Sequence, residues 1–74
     1  MQAPYMERLM PKFPHITVKL IGQDGNAFNL LGIMQRELRR NGVAKEDVDA
    51  FIEEATSGDY DHLLQTCTKT VNVA

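Results

Sequence analysis

The apolar side chains of this chain change their spacing after residue 20, and that change constrains the fold more than any other feature. Along His15-Ile16-Thr17-Val18-Lys19-Leu20 they alternate, with Ile16, Val18 and Leu20 on one side and Thr17 and Lys19 on the other. Period two is the mark of a half-buried strand. Gly22-Gln23-Asp24-Gly25-Asn26 then supplies turn chemistry, because Gly tolerates positive φ and Asp or Asn satisfies nearby backbone donors. From Asn26 to Asn41 the apolar residues recur as Ala27, Leu31, Met34 and Leu38, with Phe28, Leu30 and Ile33 widening the stripe. That spacing predicts an amphipathic helix, which must bury its stripe against something other than one strand.

The remaining helices follow from the same logic. Asn26 caps the first helix, Gly42 takes its left-handed C′ position, and Arg36, Arg39 and Arg40 complement the negative helix end. Gly32 is costly in a helix, which predicts a close approach by another element. A second helix is expected over about Lys45 to Thr56, burying Val48, Phe51, Ile52 and Ala55, with Glu46 and Asp47 suiting its start. Ala44 is a poor cap for it, although Val43 can staple onto Val48. Ser57-Gly58-Asp59 breaks the pattern, and Asp59 caps a third helix carrying Tyr60, Leu63, Leu64 and Cys67 to about Lys69. Val71-Asn72-Val73 alternates and is expected to pair with the first strand, a helical C-terminus being the alternative. The expected class is α+β: three amphipathic helices with a small two-stranded sheet, mostly helical.

Seventy-four residues hold one small core at most, and the 43% hydrophobic content with three Pro suits a folded globule. Burial offsets chain entropy only narrowly at this size, so a modestly stable monomer and a homo-oligomer both fit. The lone Cys67 excludes an intramolecular disulfide and a multi-Cys zinc site, which suits a reducing cytoplasm. No stretch approaches the run of about 20 apolar residues that spans a membrane. The opening Met1-Gln2-Ala3-Pro4-Tyr5 lacks the pattern of a signal peptide. With Pro4, Pro11 and Pro14, residues 1–14 read as a tail or irregular lead-in; residues 1–10 are expected to be a disordered extension and 11–74 the single domain.

Reactive constellations are sparse. His62 and Cys67 are five helical steps apart, about 140° around the axis, and no third group orients them. Cys67 on the apolar stripe is the ordinary buried thiol. His15 and His62 lack metal-ligand spacing, and Asp24-Gly25-Asn26 lacks the remaining ligands of a calcium loop. Gly22 and Gly25 do not make a phosphate-binding loop.

Charge is distributed unevenly. Residues 1–40 carry six Lys/Arg against three Asp/Glu, and residues 41–74 carry two against seven, although the net charge is only −2. Glu46, Asp47, Asp49, Glu53, Glu54, Asp59 and Asp61 form a candidate acidic interaction surface that attracts a basic partner. Arg36, Arg39 and Arg40 form a candidate basic surface able to bind phosphates. Helix-dipole complementarity and solvation account for much of both clusters. A helix-turn-helix is disfavoured because Asp59 and Asp61 would open its recognition helix.

The combination of Ile16-Thr17-Val18, Gly25-Asn26-Ala27-Phe28, Leu38-Arg39-Arg40, Gly42-Val43, Ala55-Thr56-Ser57-Gly58-Asp59-Tyr60 and His62-Leu63-Leu64 resembles a family of short uncharacterised proteins from bacteria, phages and mobile elements. The resemblance covers about residues 12–73. It departs at Ala44, where relatives carry Ser, and at Thr70, where they carry Trp. It implies no transferable activity, while its mobile-element setting implies interference with a host defence complex as a specialised role. The residues themselves point to a non-enzymatic, cytoplasmic protein-binding module without cofactor, metal or membrane attachment. A nucleic-acid-binding accessory protein using the Arg cluster is the alternative, and a tiny enzyme would need a site assembled across subunits.

Overall fold

The computed structural model describes residues 10–74, so all but the last residue of the extension expected over residues 1–10 lies outside them. Its elements are β1 (Phe13–Val18), α1 (Ala27–Arg40), α2 (Lys45–Ala55), α3 (Tyr60–Thr70) and β2 (Val71–Val73). The architecture is the expected α+β, mostly helical, with a two-stranded sheet. β1 and β2 run parallel, so all three helices form the crossover that parallel pairing requires.

The first strand begins earlier than its alternation suggested. Phe13 pairs with Val71, and the Lys12 N–H donates to the Lys69 carbonyl at 2.8 Å, so the lead-in expected through residue 14 already belongs to the sheet. Pro14 is tolerated because the register is irregular between Phe13 and Thr17, where the Asn72 side-chain amide donates to the Pro14 carbonyl. Beyond Val18 the chain is tied to the terminal residue: the N–H groups of Leu20 and Ile21 both donate to the Ala74 carbonyl at 2.9 Å. Ile16, Val18 and Leu20 face inward as their alternation predicts.

In α1 the fully covered line is Leu30, Met34 and Leu38, one turn apart, with Ala27, Leu31 and Ile33 on its flanks. Phe28 was expected in that stripe and is instead 84% exposed, because it lies on the side of the helix opposite Leu30. The close approach expected at Gly32 is also absent, since a Cβ built there meets nothing within 4 Å. The Asn26 carboxamide oxygen accepts the N–H groups of Phe28 and Asn29 at 2.8 and 3.4 Å. At the other end Gly42, with φ of 83°, sends its N–H to Arg39, while the Val43 N–H reaches Leu38, both at 3.0 Å. That pair is a Schellman termination, and it delivers Val43 to the core beside the start of α2.

α2 buries Val48, Phe51 and Ala55, and α3 buries Leu63, Thr66, Cys67 and Thr70. The two threonine hydroxyls are satisfied locally, donating to the carbonyls of His62 and Thr66 at 2.8 and 2.7 Å. Tyr60 and Leu64, expected on the buried stripe, are exposed at its edge. Ile16, Val18 and Val71 of the sheet join the helical residues in one cluster, whose other sheet face carries exposed Thr17 and Asn72.

The start of α2 is the weakest local feature: Ala44 holds the extended cap conformation but offers no side-chain acceptor. Ala44→Ser supplies one, and we expect a gain of about 1 kcal/mol in urea unfolding with an unchanged m-value.

Candidate functional site

The structure sorts the acidic residues into three groups. Asp59 is the cap of α3, accepting the His62 N–H at 2.9 Å, and Asp61 holds the Gln65 amide at 2.9 Å. Asp47, Asp49 and Glu54 each meet a basic or imidazole group: Lys12 at 4.0 Å, Lys45 at 2.8 Å and His62 at 3.0 Å. Glu46 and Glu53 make no ion pair among the described residues. Opposite the buried line of α2, the positions of Glu46, Asp49, Ala50 and Glu53 share one outward face, and all four are exposed. The acidic surface is therefore an α2 stripe, and the carboxylates of α3 serve local structure.

The basic residues behave similarly. Arg36, Arg39 and Arg40 are exposed on α1, and Arg40 leans on Glu37 at 3.4 Å. No ion pair among the described residues joins this cluster to α2, so the two surfaces keep opposite signs instead of neutralising each other. One neighbour escaped the sequence reading. Lys19, Thr17 and Gln23 line a cleft of about 310 Å³ together with Arg36 and Glu37. The outward half of a strand pattern flagged Lys19 as solvated, but only folding places it beside α1.

A second cleft, of about 300 Å³, is apolar. Leu20 and Cys67 line it beneath Ile21, Tyr60, Leu64 and Val73. Ile21 is 71% exposed there. Its position directly after Leu20 breaks the alternation and is the one sequence signal for this patch. The Tyr60 hydroxyl donates across the rim to the Gly25 carbonyl, and a Cβ at Gly25 would stand 3.2 Å from the Tyr60 hydroxyl oxygen. A third cleft, of about 310 Å³, lies on the other flank of α3, between Lys12 and Lys69 on one side and Asp47 and Glu54 on the other.

His62 and Cys67 are held in different environments. The His62 Nε2 lies 2.9 Å from the Glu54 carbonyl, 3.0 Å from its carboxylate and 3.3 Å from the Ser57 hydroxyl, so the ring closes the C-terminal end of α2. Gly58 permits this, since a Cβ at that position would sit 2.8 Å from the His62 Cβ. Cys67 is 1% exposed, and burial pushes its thiol up from 9.0 to about 11. They share no hydrogen bond, and Asp24 and Asn26 are spent on the turn and helix cap. Among the described residues no group of three His, Cys, Asp or Glu side chains is placed to hold a metal.

Three outcomes are expected. Gly58→Ala should cost about 1–3 kcal/mol in urea unfolding, because either the turn or the imidazole must shift. Cys67 keeps its proton longer in the folded chain than in the unfolded one. Its contribution to stability is therefore complete below pH 9.0 and falls as pH rises toward about 11, a loss visible in unfolding midpoints across that window. The folded thiol should also react with a disulfide reagent far more slowly than the urea-unfolded chain.

No family model, curated protein or solved structure matches this chain.

Proposed function

We propose that the chain is a non-enzymatic protein-binding module that docks a basic partner surface on α2. The observation that carries this reading is the outward stripe of Glu46, Asp49, Ala50 and Glu53, exposed along a single helix, in which Asp49 pairs with Lys45 while Glu46 and Glu53 make no ion pair among the described residues. A row of carboxylates on a regular scaffold attracts a basic groove at long range and fixes its register at contact. The buried, proton-retaining Cys67 and the His62 ring engaged at the end of α2 support the non-enzymatic part of the reading. Interference with a host defence complex is the specialised version, carried by the mobile-element resemblance, and a cytoplasmic setting accompanies it. Among the described residues no helix is long and apolar enough to cross a membrane.

One observation favours a second reading. Lys19 lines the same polar cleft as Arg36, which enlarges the basic surface of Arg36, Arg39 and Arg40 toward what a phosphate backbone requires.

Affinity capture from the native host with quantitative mass spectrometry separates the two. A Glu46→Lys/Glu53→Lys variant should lose a specific protein that the parent retains at low salt and releases at high salt. Retention of every captured protein by that variant, together with an oligonucleotide gel shift abolished by Arg36→Ala/Arg39→Ala, would sink the first reading and establish the second.

A further inference from the structure

The outward face of α1 is unlike the other surfaces. Phe28, Gly32, Gln35 and Arg39 follow one another at steps of four, three and four, the spacing that keeps side chains along one seam of a helix pair. All four positions are exposed, and none belongs to the core. Phe28 presents its ring almost entirely to solvent at 84% exposure. One turn on, Gly32 leaves a gap in the side-chain layer, with nothing of its own chain within 4 Å of a Cβ placed there. A glycine in an exposed helix interior weakens the helix, and no contact within the described residues explains it.

Charge differs between the two ends of α1. Asp24, just ahead of α1, accepts the Asn26 N–H at 3.1 Å and holds no cation among the described residues. Arg36 and Arg39 lie at the opposite end, and neither has an ion-pair partner among the described residues. A helix with an acid just ahead of its start and arginines at its end complements a reversed copy of itself. A parallel copy would instead stack Arg39 on Arg39.

We propose that this face of α1 pairs antiparallel with the same face of a second copy of the chain, forming a twofold-symmetric dimer. In that register Phe28 faces Arg39 of the second copy and Gly32 faces its Gln35. Each ring thereby gains a guanidinium across its face, and each glycine gap receives a longer side chain. Asp24, just ahead of one α1, then lies toward the arginine-bearing end of the other. The proposal goes beyond the partner-docking reading and is independent of it, since the α2 stripe takes no part.

Sedimentation equilibrium of the full chain from about 10 µM to about 1 mM, at low salt, tests it. The parent should show a monomer–dimer equilibrium, and Phe28→Ala and Arg39→Glu should each raise the dimer Kd by about tenfold or more with unchanged far-ultraviolet circular dichroism. Register is tested by mixing Gly32→Cys with Gln35→Cys chains under mild oxidation, with Cys67 buried and out of the reaction. The mixed-mass disulfide dimer should predominate. A parent monomeric throughout, a dimer indifferent to both Phe28→Ala and Arg39→Glu, or preferential Gly32→Cys self-crosslinking would each overturn the proposal. A monomer that binds a single-stranded oligonucleotide, and loses it in Phe28→Ala, would assign the face to nucleic acid instead.

Discussion

The two strands share too few backbone hydrogen bonds to persist alone, and the structure depends on how that pairing is covered. Ile16 and Val18 come from one end of the described chain and Val71 from the other, and the helices between them supply the apolar cover. Leu30, Met34 and Leu38 form the longest continuous buried line in that cover. Sheet and helices are therefore one cooperative unit: removing β2 would expose Ile16 and Val18, removing α1 would uncover β1, and removing α3 would uncover β2. A small chain without a disulfide has little else to hold it, because its stability is a narrow difference between burial and chain entropy.

That dependence explains which parts of the architecture could be read beforehand. Helix positions were legible because spacing and capping act locally: Asn26, Gly42 and Asp59 mark ends that hydrogen bonds then occupy. The core face of β1 was legible because alternation is a property of the strand itself. The start of β1 at Phe13 was not, because it is defined by a partner far away in sequence and stabilised by Asn72 bridging to Pro14. Strand direction was equally hidden, since alternation reads the same in parallel and antiparallel pairs. Phe28 was misplaced for a simpler reason: composition suggested burial, while its angular position beside Gly32 puts it outward.

The candidate surfaces show the same division. Counting charges identified Arg36, Arg39 and Arg40 and the run from Glu46 to Asp61, but not which of them had other duties. Only Asp59 was marked, as a cap; folding assigns Asp61 to Gln65, Glu54 to His62 and Asp49 to Lys45, and leaves Glu46, Asp49 and Glu53 along one face of α2. It also brings Lys19 to Arg36 and gathers Ile21, Tyr60 and Leu64 around one apolar cleft. These are long-range juxtapositions that no local pattern announces. Gly58 belongs with them, because its need to be glycine comes from the His62 ring.

Strand pairing and helix packing form a single cooperative structure. Native-state hydrogen exchange measures this directly through the Leu20 and Ala74 amides, which link the chain end to β1, and the Met34 and Leu38 amides inside α1. On this account, all four exchange through the same global opening and share its dependence on denaturant. Exchange of the Leu20 and Ala74 amides at nearly the unfolded rate, while α1 stays protected, would show that the helices stand without the sheet and would contradict it.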